Sequence, residues 1–210
     1  MSALWYCFGA AAGYLLGCIN TAAILARIKG FDIRQKGSGN AGASNALVTM
    51  GKGAAVCTAV VDVLKAMMPV LLLRYVISLP EGCVHLPVVT GAAVILGHMF
   101  PFWMQFRGGK GFASLLGLLF ALSWQFFLIC IGVSIVILLL TRYIALATIT
   151  VSVAAPVFWY IRTGSIPETI VLAAVCICMI CKHIENIRRI ADGTEIGLRK
   201  GLAGSEKDKK

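Results

Sequence analysis

The sequence predicts an all-α integral membrane protein of about seven transmembrane helices, with the N-terminus outside and the C-terminus cytoplasmic. Three observations carry this. Apolar residues make up 59% of the 210 residues and charged ones 13%, for a mean hydropathy of +0.88. That much apolar surface exceeds what one soluble core can bury. It is gathered into runs long enough to cross a bilayer as helices. The basic residues behind the net charge of +10 sit in gaps between those runs, as membrane topology requires, and not on an aromatic-lined face suited to nucleic acid. The bilayer is the expected partner, and no nucleic acid is.

The first run, Ala3 to Ala26, has no basic residue before it and no small-residue cleavage site leading to a polar domain. It reads as a retained helix. Gly30 to Gly53 is polar and carries Arg34, Lys36 and Lys52, which places it on the cytoplasmic side. The second run, Ala54 to Ile77, holds Asp62 and Lys65 on one helix face, where they can pair. A structural ion pair locking two helices is favoured there over a direct chemical role. Ser78 to Leu86 is short and nearly free of positive charge, which suits the outer side. Run three, Pro87 to Phe106, then returns the chain to a basic, glycine-rich junction.

No charged residue occurs from Phe112 to Leu140. As one helix this stretch would span about 44 Å, against a hydrocarbon core of roughly 30 Å. Two short helices turning near Ser123-Trp124-Gln125 keep every basic loop on one side, leaving only Arg74 and Arg162 at the outer edge. Ile144 to Ile161 is a sixth run, Arg162 to Glu168 an outer turn, and Thr169 to Cys181 the core of a seventh that is short unless it starts at Ile166. Residues 1–200 are expected to form a single transmembrane domain, with 201–210 a basic cytoplasmic tail.

The eight cysteines fall mostly inside apolar runs and imply no disulfide framework. Cys178, Cys181 and His183 form the nearest approach to a ligand cluster but lack a second pair to complete four ligands, so no metal or cofactor is expected.

Three polar segments share the predicted cytoplasmic side. Lys36 to Asn45 alternates glycines with Ser and Asn, which makes a poor helix but good backbone nests and helix caps for phosphate oxygens. Gly97 to Ser114 puts His98, Arg107 and Lys110 beside Gly108, Gly109 and Gly111, a junction able to cradle an anion. In His183 to Glu195, His183 and Asn186 share one helix face, while Ile184, Ile187 and Ala191 form an apolar stripe.

Together, GSGNAGASN (Gly37 to Asn45), GHMFPFWMQFRGGKGFAS (Gly97 to Ser114) and KHIENIRRIADGTE (Lys182 to Glu195) resemble the three signature regions of the PlsY family of bacterial membrane acyltransferases. The order, the spacing, the Asp62/Lys65 pair and the hydrophobic profile extend the resemblance over nearly the whole chain. It departs at Ser44, where Thr is expected, at Val48, where relatives commonly carry Arg, and at Lys182, where Arg is usual. Valine cannot replace a guanidinium at a phosphate.

The resemblance implies transfer of an acyl chain from acyl phosphate to the 1-hydroxyl of glycerol 3-phosphate. The products would be lysophosphatidic acid and inorganic phosphate, at the cytoplasmic side of the bacterial inner membrane, without a cofactor. The catalytic candidates are Ser38, Lys110, His183 and Asn186. The substrate-binding candidates are Gly37, Gly39, Asn40, Gly42, Asn45, His98, Arg107, Gly108, Gly109 and Gly111. Lys110, Arg107 and the amides of 108 to 111 would neutralise leaving phosphate, and Ser38 and Asn40 would position glycerol 3-phosphate or the reacting carbonyl. Asn186 would orient substrate. His183 would act as general base or as phosphate ligand. Nothing here requires more than a monomer. A small anion or phosphate-ester transporter is the alternative, although polar groups would then be expected near mid-bilayer at an internal repeat.

Overall fold

A computed structural model describes residues 1–195, and the expected tail at 201–210 lies outside them. Ten α-helices form the described chain: α1 (Ser2–Gly17), α2 (Thr21–Ile28), α3 (Ala43–Met50), α4 (Lys52–Tyr75), α5 (Leu86–Met99), α6 (Phe112–Leu122), α7 (Trp124–Thr141), α8 (Ile144–Thr163), α9 (Ile166–Cys181) and α10 (Ile184–Ala191). Five segments are long and apolar enough to cross a membrane, with α1 and α2 counted as one, and α9 joined to α10 across a 42° bend makes a sixth. The fourth of the seven expected helices, α6, has only 11 residues. At 1.5 Å per residue it covers about 16 Å, roughly half the hydrocarbon core.

The first run is broken at Cys18–Asn20. Asn20 caps α2 by accepting from the Ala23 amide at 2.9 Å, and its Nδ2 donates to Ala41 O at 3.0 Å. Before the break, Gly9, Gly13 and Gly17 form a bare stripe along α1 against α5. A Cβ at Gly17 would collide with Val94 O, and one at Gly97 with Tyr14 O. Small residues at this spacing let two membrane helices approach to backbone contact, where dispersion replaces the hydrophobic drive that lipid does not supply. Leu115, Leu118 and Leu119 of α6 pack with Val70, Ile95, Leu172 and Met179 as the central core. Leu139, Leu140 and Ile161 remain exposed on the outside of the bundle, as befits a lipid-facing belt.

The run from Phe112 to Leu140 does turn at Ser123, whose Oγ accepts from the Phe126 amide. Arg74, an exception to the charge pattern, has a local task. It donates to Ala121 O at 2.6 Å and Leu122 O at 2.7 Å, capping the last carbonyls of α6.

Connections gather at two ends of the bundle. At one end Tyr6 donates to Gly82 O, and His85 meets Glu168 at 3.1 Å. At the other, Arg34 reaches Met104 O at 2.8 Å and Lys182 reaches Met99 O at 3.0 Å. The three polar segments all lie at this second end.

Candidate active site

Four walls and one residue of α4, Asp62, surround a cavity of about 180 Å³. The first wall is the loop before α3. Buried Asn45 organises it, accepting from the Ser38 amide at 2.9 Å and donating to Ile33 O at 3.1 Å and Lys36 O at 2.9 Å. Gly37 and Gly39 have φ of 59° and 72°, the left-handed turns that let the loop curl around that amide. Ser38, Asn40 and Gly42 line the cavity, whereas Gly37, Gly39 and Asn45 shape the loop from behind. Arg34 binds the loop to the next wall. Its guanidinium grips Asp32, holding that carboxyl below its ordinary pKa mainly through the hydrogen bonds, and donates to Met104 O.

The second wall runs from α5 into α6. Gln105 and Phe106 adopt left-handed φ of 56° and 59°, reversing the chain onto α5. The amides of Gly108 and Gly109 are engaged by Met99 O (3.1 Å) and His98 O (3.0 Å), so they are not open to an anion as the sequence suggested. Side chains are excluded at both positions, because a Cβ would strike His98 O or the His98 ring. Arg107 is exposed and outside the cavity lining. Lys110, Gly111, Phe112 and Ala113 do line it, which turns the N-terminus of α6 toward the space. A helix N-terminus with a lysine beside it favours negative charge.

The third wall is the break between α9 and α10. His183 is buried, with Nδ1 2.8 Å from Met179 O. A carbonyl only accepts, so Nδ1 carries the proton and Nε2 presents its lone pair. Asn186 accepts from Lys110 Nζ and donates to Glu195 Oε1 at 2.6 Å, while Arg189 holds Oε2 of the same carboxylate at 2.7 Å. Burial pushes Lys110 down to about 8, with the Arg189 charge adding to it. Lys110 is therefore mostly cationic near pH 7.

Asp62 and His98 also line the cavity, each nearly fully buried. The fourth wall was not anticipated. Arg142 comes from the α7–α8 turn, at φ 65°, and Ile144, Ala145 and Thr148 from the start of α8. Among the described residues the Arg142 guanidinium has no hydrogen-bond or ion-pair partner. It is the single charged residue between Lys110 and Arg162, and its place at the boundary of two apolar runs was the available signal. Val48 lines the same cavity.

A family model described as glycerol-3-phosphate acyltransferase matches residues 7–193. The chain belongs to this family. Proteins named glycerol-3-phosphate acyltransferase in Mesorhizobium japonicum and Geotalea daltonii are 41% and 39% identical over 185 residues, covering 87% of this chain and 91% and 92% of theirs. That of Oceanobacillus iheyensis is 35% identical over 199 residues, covering 93% of this chain and 96% of its own. Among solved structures, PlsY, described as an integral membrane glycerol 3-phosphate acyltransferase, matches in its glycerol 3-phosphate form with TM-score 0.84 and 33% identity, covering 92% of this chain and 95% of that one. Its lysophosphatidic acid form matches with TM-score 0.80 at the same identity, covering 91% and 94%. This chain is thus a multi-pass membrane glycerol-3-phosphate acyltransferase of the PlsY type, and the transporter alternative is set aside.

Proposed function

We propose that the enzyme moves a fatty acyl chain from acyl phosphate to the 1-hydroxyl of glycerol 3-phosphate in this cavity, at the cytoplasmic side of the inner membrane. The observation that carries the reading is the convergence of Ser38, Lys110, His183 and Asn186, from three distant segments, on one space beside the α6 N-terminus. The relative's structures in glycerol 3-phosphate and lysophosphatidic acid forms support it.

Both reactants are anions, and Lys110 and Arg142 are the cations that face the space among the described residues. One can meet each phosphate. The hydroxyl oxygen forms a bond to the acyl carbon, and the bond from that carbon to the phosphate oxygen breaks. His183 Nε2, as an acceptor, aligns the hydroxyl. The departing phosphate, with a second pKa of about 6, is itself an acceptor for the hydroxyl proton. The proton therefore ends on the departing phosphate. Ser38 and the α6 amides face the carbonyl oxygen as its charge develops. Asn186, clamped between Lys110 and Glu195, keeps the lysine aimed.

The experiment is to give purified protein labelled glycerol 3-phosphate with acyl phosphate, acyl carrier thioester or acyl-coenzyme A in separate reactions. Labelled lysophosphatidic acid and free phosphate are expected with acyl phosphate alone. Transfer from a thioester without acyl phosphate would reject the donor assignment.

A further inference from the structure

We propose that the buried Asp62–Lys65 pair is a positioning device that holds His98 as the neutral tautomer protonated on Nε2. His98 then offers the cavity a hydrogen-bond donor, while His183 offers an acceptor. The proposal rests on the reaction assigned above for what the donor does, but not for the tautomer itself.

Lys65 and Asp62 lie on adjacent turns of α4 with side chains 4% and 3% exposed. An ammonium has three N–H donors and no acceptor. Lys65 Nζ has three partners: Asp62 Oδ1 at 2.6 Å, Ile19 O at 2.8 Å and His98 Nδ1 at 2.9 Å. Ile19 O is available because the chain breaks between α1 and α2, so its carbonyl has no helical partner to satisfy it. With each N–H directed to one partner, His98 Nδ1 must be the acceptor. Asp62 Oδ1 also approaches Nδ1, but at 3.3 Å, farther than the lysine. A proton on Nδ1 would face an ammonium at 2.9 Å. The ring proton therefore sits on Nε2, which abuts the Cα of Gly109 where no side chain can fit.

His183 is fixed the opposite way. Its Nδ1–H is held by Met179 O, leaving the Nε2 lone pair. Both rings line one cavity, and their partners on the far side give them opposite character, as hydrogen bonds to one imidazole nitrogen do generally. The donor suits an anionic phosphate or carbonyl oxygen, and the acceptor suits a hydroxyl. The lysine has a second effect: Asp62 lines the same space, and a bare carboxylate there would repel phosphate.

The test uses the full chain carrying ¹⁵N-histidine in lipid nanodiscs, with resonances assigned through His98→Gln and His183→Gln. Wild type is expected to show His98 protonated on Nε2 and His183 on Nδ1. The paired variant Asp62→Asn/Lys65→Met removes both charges together, which buried pairs tolerate better than loss of one partner. It should turn His98 into a mixture of tautomers and raise KM for glycerol 3-phosphate at least tenfold. A glutamine amide nitrogen stands where Nε2 does, and an asparagine one where Nδ1 does. His98→Gln should therefore retain at least ten times the activity of His98→Asn. The proposal is overturned by a wild-type His98 protonated on Nδ1, by a tautomer unchanged in a folded paired variant, or by His98→Asn matching His98→Gln. Should the paired variant not fold, the wild-type spectrum and the glutamine/asparagine comparison still decide. Absence of acyl transfer with the expected tautomers present would reject the reaction and leave this arrangement standing.

Discussion

At the scale of single residues, the charge on Lys110 sets a pH limit. The cation exists below its pKa and is lost as pH rises through it, so anion binding by the free enzyme should weaken above about 8. We expect kcat/KM for glycerol 3-phosphate to fall along an alkaline limb near that value. Lys110→Arg, charged at any working pH, should flatten the limb even where it lowers the rate, and an unchanged limb would remove Lys110 from phosphate binding. Arg142 gives a second prediction. A charge-assisted hydrogen bond contributes about 1.5–3 kcal/mol, so Arg142→Ala should raise KM for one anionic substrate by about tenfold or more. Because Val48 lines the same cavity, Val48→Arg in that background should recover part of the loss in steady-state assays. The three polar segments were legible in the sequence because glycine, histidine and lysine at a membrane edge have few other uses. Arg142 was not, since one arginine between apolar runs satisfies the topology rule and needs no further explanation.

Helices and loops show a different division. The break at Ser123 could be read from length alone, because 29 uncharged residues fit neither one crossing nor two full ones. The break at Asn20 could not, since a capping asparagine inside an apolar run looks like an isolated polar residue until Ala41 is found beside it. Nor was the stripe Gly9, Gly13, Gly17 recognised, although its four-residue spacing is the signal by which such contacts can be found. Gly17→Ala should destabilise, by about 1–3 kcal/mol for an overpacked contact, because the new Cβ strikes Val94 O. Gly132→Ala, in open space on α7, should be neutral or slightly stabilising. Thermal unfolding in detergent, with the two variants side by side, distinguishes a packing requirement from general helix propensity. Asn45→Ala belongs at this scale too. It leaves the Ser38 amide and the carbonyls of Ile33 and Lys36 without their shared partner, so it should lower stability and raise KM together.

For the molecule as a whole, the proposed orientation rests on the polar loops sharing one end. Single cysteines at Gln35, Ser44 and Arg107 in a cysteine-free background should react with an impermeant thiol reagent from the cytoplasmic side. One at Glu81 should react from the other side only. Labelling of Gln35→Cys and Glu81→Cys from the same side would dismantle the arrangement. The order of the apolar runs was readable from charge and run length, but not their number as crossings, because α6, with 11 residues, is too short to cross by itself. The depth of the cavity was not, because depth depends on where α6 begins relative to its neighbours.

That starting level has a consequence for the lipid. Gly117 of α6 lies against Val63 of α4, and Arg74 meets the far end of α6, so the two helices run in the same direction. Counting back, α6 opens level with about residue 58 of α4, some 9 Å inside the start of that helix. In the reaction proposed above, a tethered acyl group would then present its reactive head while every methylene stays among its neighbours in the leaflet. The small, water-soluble partner would then be the one to descend. In that reaction no lipid would be lifted out of the sheet beforehand, and the new product would be released already in its own leaflet.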